Sequence, residues 1–406
     1  MQSVMLERFS LYGQLCRYGG CFFIQQLKSL ENAKVVWKDL YTLYSATCVI
    51  FSFSFFLLLE VLFVLETNNF STSIQSDKFS DILIQTLHVV VSSKVFVNFL
   101  SMATGSGDLL NYFKKAAAFE KRSGFVLGKR CVRTLGEQRW SFFRRVLVLV
   151  AMATSYVMFM HFYVAHVADT VVRVWAIACK IIGPIAGFFL FLYDTLCYVV
   201  LRCCSGVLLE YIRAQLREFE DCTRSYGALS GTEACRRLEM IRLNMCSIRE
   251  LSRSLNSIWN VSLAATVAGI ILANCVVSYS IFIDGIFERE IWITLSYCVY
   301  TSLVVLELVY ISQALMDETQ KLKNATKNIR PSDLSLGCSQ ELRYLHDSID
   351  PKDMCLSGGG FFRLNKPLLV SITGSIITYT VILVQTSNKL TSSTDSGMAS
   401  LAPYHQ

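Results

Sequence analysis

Low charge content, seven apolar stretches of membrane length and a one-sided distribution of basic residues predict an all-α membrane protein with seven transmembrane helices. The chain has 406 residues, 53% of them hydrophobic and 17% charged, against roughly 25% charged in an average soluble domain. A helix needs about 20 mostly apolar residues to cross a bilayer. Segments that meet this need lie near Leu40–Leu65, Ile82–Met102, Val146–Val167, Ile181–Leu201, Val261–Ile283, Ile291–Ser312 and Pro367–Gln385.

The segment before the first span and the loops after the second, fourth and sixth hold 32 of the 38 Lys and Arg residues. The alternate segments hold five, and Lys94 lies inside the second span. This bias predicts a cytosolic N-terminus, long cytosolic loops and an extracellular C-terminus, the reverse of receptors that signal through G proteins. The N-terminus lacks a charged start, short apolar run and small-residue cleavage site, so the first span is expected to target the chain. Asn69-Phe70-Ser71 is a glycosylation acceptor in a loop expected outside. Asn324-Ala325-Thr326 has the same form in a stretch expected to be cytosolic, where it would go unused. Most of the 15 cysteines fall in spans or cytosolic segments, which argues against a disulfide framework.

Outside the spans, apolar positions recur at helical spacing. Leu208, Leu209, Ile212, Leu216 and Phe219 continue the fourth span, and Leu238, Ile241, Met245, Ile248, Leu251 and Leu255 lead into the fifth. Leu315, Leu322 and Ile329 extend the sixth until Pro331, and Leu342, Leu345 and Ile349 mark a short amphipathic helix. These faces are expected to bury one another in a cytosolic anchor bundle. Leu356-Ser-Gly-Gly-Gly-Phe-Phe362 reads as a flexible break before the seventh span, and the last 20 residues as a disordered tail.

In the seventh span Ser371, Ser375, Thr378, Ile382 and Gln385 follow at intervals of four, three, four and three, which places them on one helical face. A helix surrounded by lipid has no reason to align hydroxyls and an amide, whereas one lining water does. Ile382, repeated around a symmetry axis, would form a hydrophobic ring that gates by dewetting. Asp347, Asp350 and Asp353 precede this helix, either as a bias toward cations or as a solvated helix face.

Thr378-Tyr379, five intervening residues and Gln385 resemble the Thr-Tyr, five-apolar, Gln-Phe signature of insect gustatory receptors. Phe361-Phe362-Arg363-Leu364-Asn365-Lys366-Pro367-Leu368-Leu369 is similar to that family's approach to its last helix. Two positions depart: Thr386 stands where the family has Phe, and Thr380 replaces the first apolar residue. The resemblance implies a homo- or heterotetrameric, tastant-gated, non-selective cation channel in the plasma membrane. Its last helix would line the pore, with Ile382 at the gate and Gln385 and Thr386 beside it. The sugar-sensing branch carries Glu after the Thr-Tyr pair, so Thr380 favours bitter or other non-sugar tastants over a fructose-type or internal nutrient sensor. The implied organisation is a cytosolic segment at 1–39 and six spans with an outer ligand cavity at 40–313, including cytosolic extensions at about 202–256. Anchor helices at 314–362, a pore helix at 363–386 and an extracellular tail at 387–406 complete it.

Lys94, Asp194 and Glu307 fall inside the second, fourth and sixth spans, where a charge costs at least ~2.5–3.5 kcal/mol and is expected to pair. Either carboxylate suits Lys94, as a lock between helices. For the ligand cavity, the outer halves of the spans offer His88, Tyr156, Tyr163, Trp175, Tyr279, Trp292 and Tyr297. Aromatic residues also populate membrane interfaces on structural grounds alone. No His/Cys/carboxylate cluster has metal-ligand spacing, and no nucleophile motif or phosphate-binding glycine loop occurs, so neither enzyme activity, cofactor nor nucleic-acid partner is expected. A transporter would show broken helices or internal repeats, and neither is apparent.

Overall fold

The computed structural model describes residues 3–27, 29–70, 77–125, 143, 147–148, 173–225, 231–283, 289–329 and 335–399. The third predicted span, near Val146–Val167, lies outside the described residues apart from two positions, as does Pro331. The elements are α1 (Val4–Tyr18), β1 (Ile24–Gln25), β2 (Lys34–Val35), α2 (Leu40–Phe70), α3 (Asp77–Thr104), α4 (Ser106–Ser123), α5 (Arg173–Arg224), α6 (Gly231–Ile283), α7 (Arg289–Lys327), α8 (Leu336–Ser348), β3 (Ser357–Gly358), β4 (Phe362–Arg363) and α9 (Lys366–Ala399). Among the described residues, four helices are long and apolar enough to cross a membrane: the stretches Ile185–Arg224, Gly231–Ile283, Leu295–Lys327 and Lys366–Ser387. The α3–α4 pair, Val89–Thr104 and Ser106–Ser123 bent by 58°, makes a fifth when the two are counted as one broken span.

Helix length explains the architecture. At about 1.5 Å per residue, α5 with 52 residues and α6 with 53 far exceed the roughly 30 Å of a hydrocarbon core. Each runs without interruption from an apolar half into an amphipathic half. On α6 the buried positions Leu238, Ile241, Met245, Ile248, Leu251, Leu255 and Trp259 recur every three or four residues. They share one core with Leu208, Ile212 and Phe219 of α5, Leu315 and Leu322 of α7, and Leu342 and Leu345 of α8. These stripes bury one another in a bundle at the end of the molecule that carries the basic loops, here called the basic side.

Gly105 makes the α3–α4 bend. A Cβ there would lie 2.6 Å from the Ser101 carbonyl oxygen and 2.8 Å from Ile258 Cγ2, so only glycine lets the end of α3 approach α6 this closely.

Two expectations are corrected, and the structure adds a helix that the sequence reading did not name. The N-terminal segment contains a buried helix, α1, whose Met5, Phe9, Tyr12 and Cys16 face α4 and α5. The break before the last helix is instead an ordered β3–β4 hairpin, turned by Gly359 and Gly360 at φ 64° and 72°, a conformation glycine adopts freely. The Gly359 N–H donates to the Asn260 carbonyl at 3.2 Å, and Asn256 donates to the Cys355 carbonyl at 3.0 Å, so the hairpin is fastened to α6. Finally, α9 continues to Ala399 where a disordered tail is expected. No proline lies between Pro367 and Pro403, and extending an existing helix fixes one residue per hydrogen bond gained, without the cost of a new nucleus.

Candidate functional site

Only 11% of the apolar stretch of α9 is buried within the chain, against 67% for α5. The helix therefore leans on its own chain along one narrow face. Ile372 and Thr380 are the buried positions of that face. Cys275 of α6 points its thiol at the Ile376 carbonyl, 3.8 Å away, and the Tyr279 hydroxyl donates to Ser387 Oγ at 2.9 Å. Positions 372, 376, 380 and 387 are one helical side.

The polar stripe lies elsewhere. Ser371, Thr378, Ile382 and Gln385 are exposed and Ser375 is half-buried. At 100° per residue the stripe is rotated by about 140° from the α6-facing side. Val370, Ile377 and Val381 form an exposed apolar face between the two. The Thr386 hydroxyl is exposed and donates back to the Ile382 carbonyl at 2.8 Å. Tyr379 is exposed, while Thr380 turns inward, where its buried hydroxyl meets the Cys275 thiol, a weak partner.

Of the three intramembrane charges, the fold brings two together. Lys94 Nζ of α3 sits 2.6 Å from Asp194 Oδ1 of α5, with both side chains 3% exposed. Lys94 also donates to the Tyr297 hydroxyl of α7 at 2.9 Å, and that hydroxyl donates to Asp194 Oδ2 at 3.3 Å. Asn98 donates to the Asp194 backbone carbonyl at 2.9 Å. One polar cluster thus joins three helices. Glu307 is not part of it: Arg202 Nε donates to Glu307 Oε1 at 2.8 Å, and the Tyr198 hydroxyl reaches the same carboxylate. A small cavity is lined by Lys94 and Asp194 of the first cluster and Tyr198 of the second, with Thr266 and Thr301. Sequence reasoning missed Tyr198 and Arg202, although both fall on the face of Asp194, four and eight residues on.

The cavity candidates divide. Tyr156 and Tyr163 lie outside the described residues, and His88, Trp175 and Trp292 are described as helix positions only. Tyr279 is buried, with its hydroxyl directed to α9, and the Tyr297 hydroxyl is engaged by the ion pair. Asn69 is described as the penultimate residue of α2. Among the described residues no group of three or more His, Cys, Asp or Glu side chains has metal-holding geometry.

The sequence matches the family described as 7tm Chemosensory receptor over residues 13–389. Among solved structures it is similar to the insect olfactory receptor OR5 from Machilis hrabei, with TM-score 0.69 for one structure and 0.67 for the complex with eugenol. Identity is 14% in both, and the match covers 94% of this chain and 98% of that chain. No curated protein sequence matches. The structural likeness is one of fold.

Proposed function

The chain belongs to the 7tm chemosensory receptor family, and from that premise we propose that it is a gustatory subunit of a tastant-gated, non-selective cation channel. The observation that carries this reading is the uncovered polar stripe of α9. A helix that buries 11% of its apolar stretch in its own chain and aligns Ser371, Ser375, Thr378 and Gln385 on a separate face fits a wall of a hydrated conduit shared by several copies of the chain.

On this reading the basic side lies in the cytosol of a plasma-membrane protein, and α9 runs outward from it. Ile382 forms the gate ring, with Gln385 and Thr386 next to it. The ligand is a small amphipathic molecule held between the outer halves of the spans. The likeness to a receptor solved with eugenol supports that chemistry. Thr380, in place of the Glu of the sugar-sensing branch, favours bitter or other non-sugar tastants. Ligand must bind the open arrangement better than the closed one, since equal affinity shifts nothing.

Two experiments test this. Currents are recorded from cells expressing the chain, alone and with co-expressed relatives, against a panel of bitter compounds and sugars. In parallel, single cysteines at Ser375, Thr378 and Gln385 are exposed to a water-soluble thiol reagent, with Val370→Cys and Ile377→Cys as apolar-face controls. Reaction at the stripe alone supports a conduit. Unreactive stripe cysteines at native surface density would turn α9 toward lipid and end the proposal.

A further inference from the structure

Helix α1 is held at both ends by side chains from distant parts of the chain. At its start Glu120, near the end of α4, accepts the N–H of Val4 at 2.9 Å and of Met5 at 3.0 Å, one on each carboxylate oxygen. The Tyr211 hydroxyl of α5 donates to the same carboxylate. Ser3, at the N-cap position, makes no side-chain cap bond. Glu120 therefore does the capping from 116 residues away, and its charge faces the positive end of the helix dipole.

The other end closes by the Schellman pattern. The Cys21 N–H donates to the Cys16 carbonyl at 3.0 Å and the Gly20 N–H to the Arg17 carbonyl at 3.1 Å, with Gly20 at φ +71°. Three tyrosine hydroxyls then donate to consecutive carbonyls: Tyr41 to Arg17 at 2.9 Å, Tyr44 to Tyr18 at 2.5 Å and Tyr193 to Gly19 at 2.9 Å. Tyr41 and Tyr44 stand on the first turns of α2, and Tyr193 stands on α5. Between the ends, Phe9 packs on Phe113 of α4 with ring centroids 4.9 Å apart, and Arg8 pairs with Glu210 of α5 at 2.8 Å.

We propose that α1 is a clasp, with Glu120 as its catch, that joins the basic-side ends of α2, α4 and α5 into one rigid body. α2 packs directly on α5 and makes little direct contact with α4, whereas α1 packs on α4 and α5 and accepts hydrogen bonds from Tyr41 and Tyr44 of α2, so α1 adds a link between α2 and α4. The outer halves of the spans then move, when they move, on a fixed base.

Hydrogen–deuterium exchange on the full chain in lipid nanodiscs reads it directly. In the native protein the amides of residues 4–16 exchange slowly, as an integral part of the fold. Glu120→Ala speeds exchange in the first two turns of α1 by about tenfold or more, from loss of two charge-assisted bonds. The faster exchange spreads to residues 40–48 of α2, while α6 residues 238–259 stay protected. Glu120→Gln, which keeps one acceptor oxygen, falls between the two and serves if the alanine variant does not fold. Exchange of native α1 within seconds would overturn the clasp whatever the variants do. Faster exchange confined to α1, with α2 unchanged, would reduce Glu120 to a local cap and overturn it equally.

Discussion

Breaking one member of the Lys94–Asp194–Tyr297 cluster should harm the protein more than removing both charges. The pair is 2.6 Å apart, and with 3% exposure on each side neither charge has water to fall back on. Lys94→Met leaves Asp194 as an uncompensated buried anion, and Asp194→Leu leaves a buried ammonium. Either should cost ~3–5 kcal/mol. Tyr297→Phe leaves the ion pair intact but removes the hydroxyl bridging its two ends, a loss of about 1.5–3 kcal/mol for a bond to charged groups. The double variant Lys94→Met/Asp194→Leu replaces the pair by apolar side chains of similar reach and should lie within ~1 kcal/mol of native. Arg202–Glu307 is the internal control. Its side chains are 34% and 37% exposed on the chain, so the pair is less desolvated than Lys94–Asp194 and Arg202→Ala should cost less than either single charge variant. The assay is the thermal midpoint of the monodisperse, detergent-solubilised protein, with cell-surface amount as a second readout. The expected ranking places both single charge variants lowest, Tyr297→Phe between, and the double variant beside native. A double variant as poor as the worse single, or single variants as mild as Arg202→Ala, would refute the reasoning that burial without water sets the cost.

Three further outcomes follow from the geometry. On the channel reading, Ile382→Ala widens the gate ring and leaks current without ligand; unchanged resting conductance at native surface density counts against Ile382 as the gate. Gly105→Ala places a Cβ 2.6 Å from the Ser101 carbonyl oxygen of α3 and 2.8 Å from Ile258 Cγ2 of α6, so it should lower the thermal midpoint by the equivalent of ~1–3 kcal/mol, and an unchanged midpoint would show that the bend and the α3–α6 contact both relax freely. Thr380→Val removes a buried, poorly partnered hydroxyl without changing shape and should stabilise by up to ~1 kcal/mol; a lowered midpoint would show that the Cys275 contact is worth more than its chemistry suggests.

The long helices were legible because length and period are local properties. Leu238 to Leu255 and Leu315 to Leu322 bury the faces that their spacing marks. What the spacing cannot give is a partner. Lys94 had two suitable carboxylates at similar depth, and the choice of Asp194 follows from Arg202, which lies two turns along the same face of α5 and engages Glu307. α1 left a short signal in Ser3, the Gly19-Gly20 pair and the apolar positions between them. Its capping carboxylate, however, is 116 residues away, beyond anything a local pattern encodes. The hairpin at Ser357–Arg363 is hidden in the sequence because three consecutive glycines suggest freedom when no neighbour is known. Asn256 and Asn260 of α6 supply the neighbour and remove it.

Fewer residues of the α9 stripe require water than the stripe displays. Ser371 and Thr386 return their hydroxyls to the carbonyls of Pro367 and Ile382 in the preceding turn, at 3.4 and 2.8 Å. A hydroxyl so engaged is tolerable in hydrocarbon, and these two alone would be compatible with a lipid-facing helix. Gln385 is different. Its amide carries two donors and an acceptor, is exposed on the chain, and is too many groups for one helical turn to satisfy. Leaving an amide unbonded in an apolar medium costs roughly 2–7 kcal/mol. Gln385 lies one turn beyond Ile382, so the group that most needs water stands beside the group that would exclude it. On the channel reading, that juxtaposition, rather than the number of hydroxyls, is what makes the exposed face of α9 the wall of a gated aqueous path.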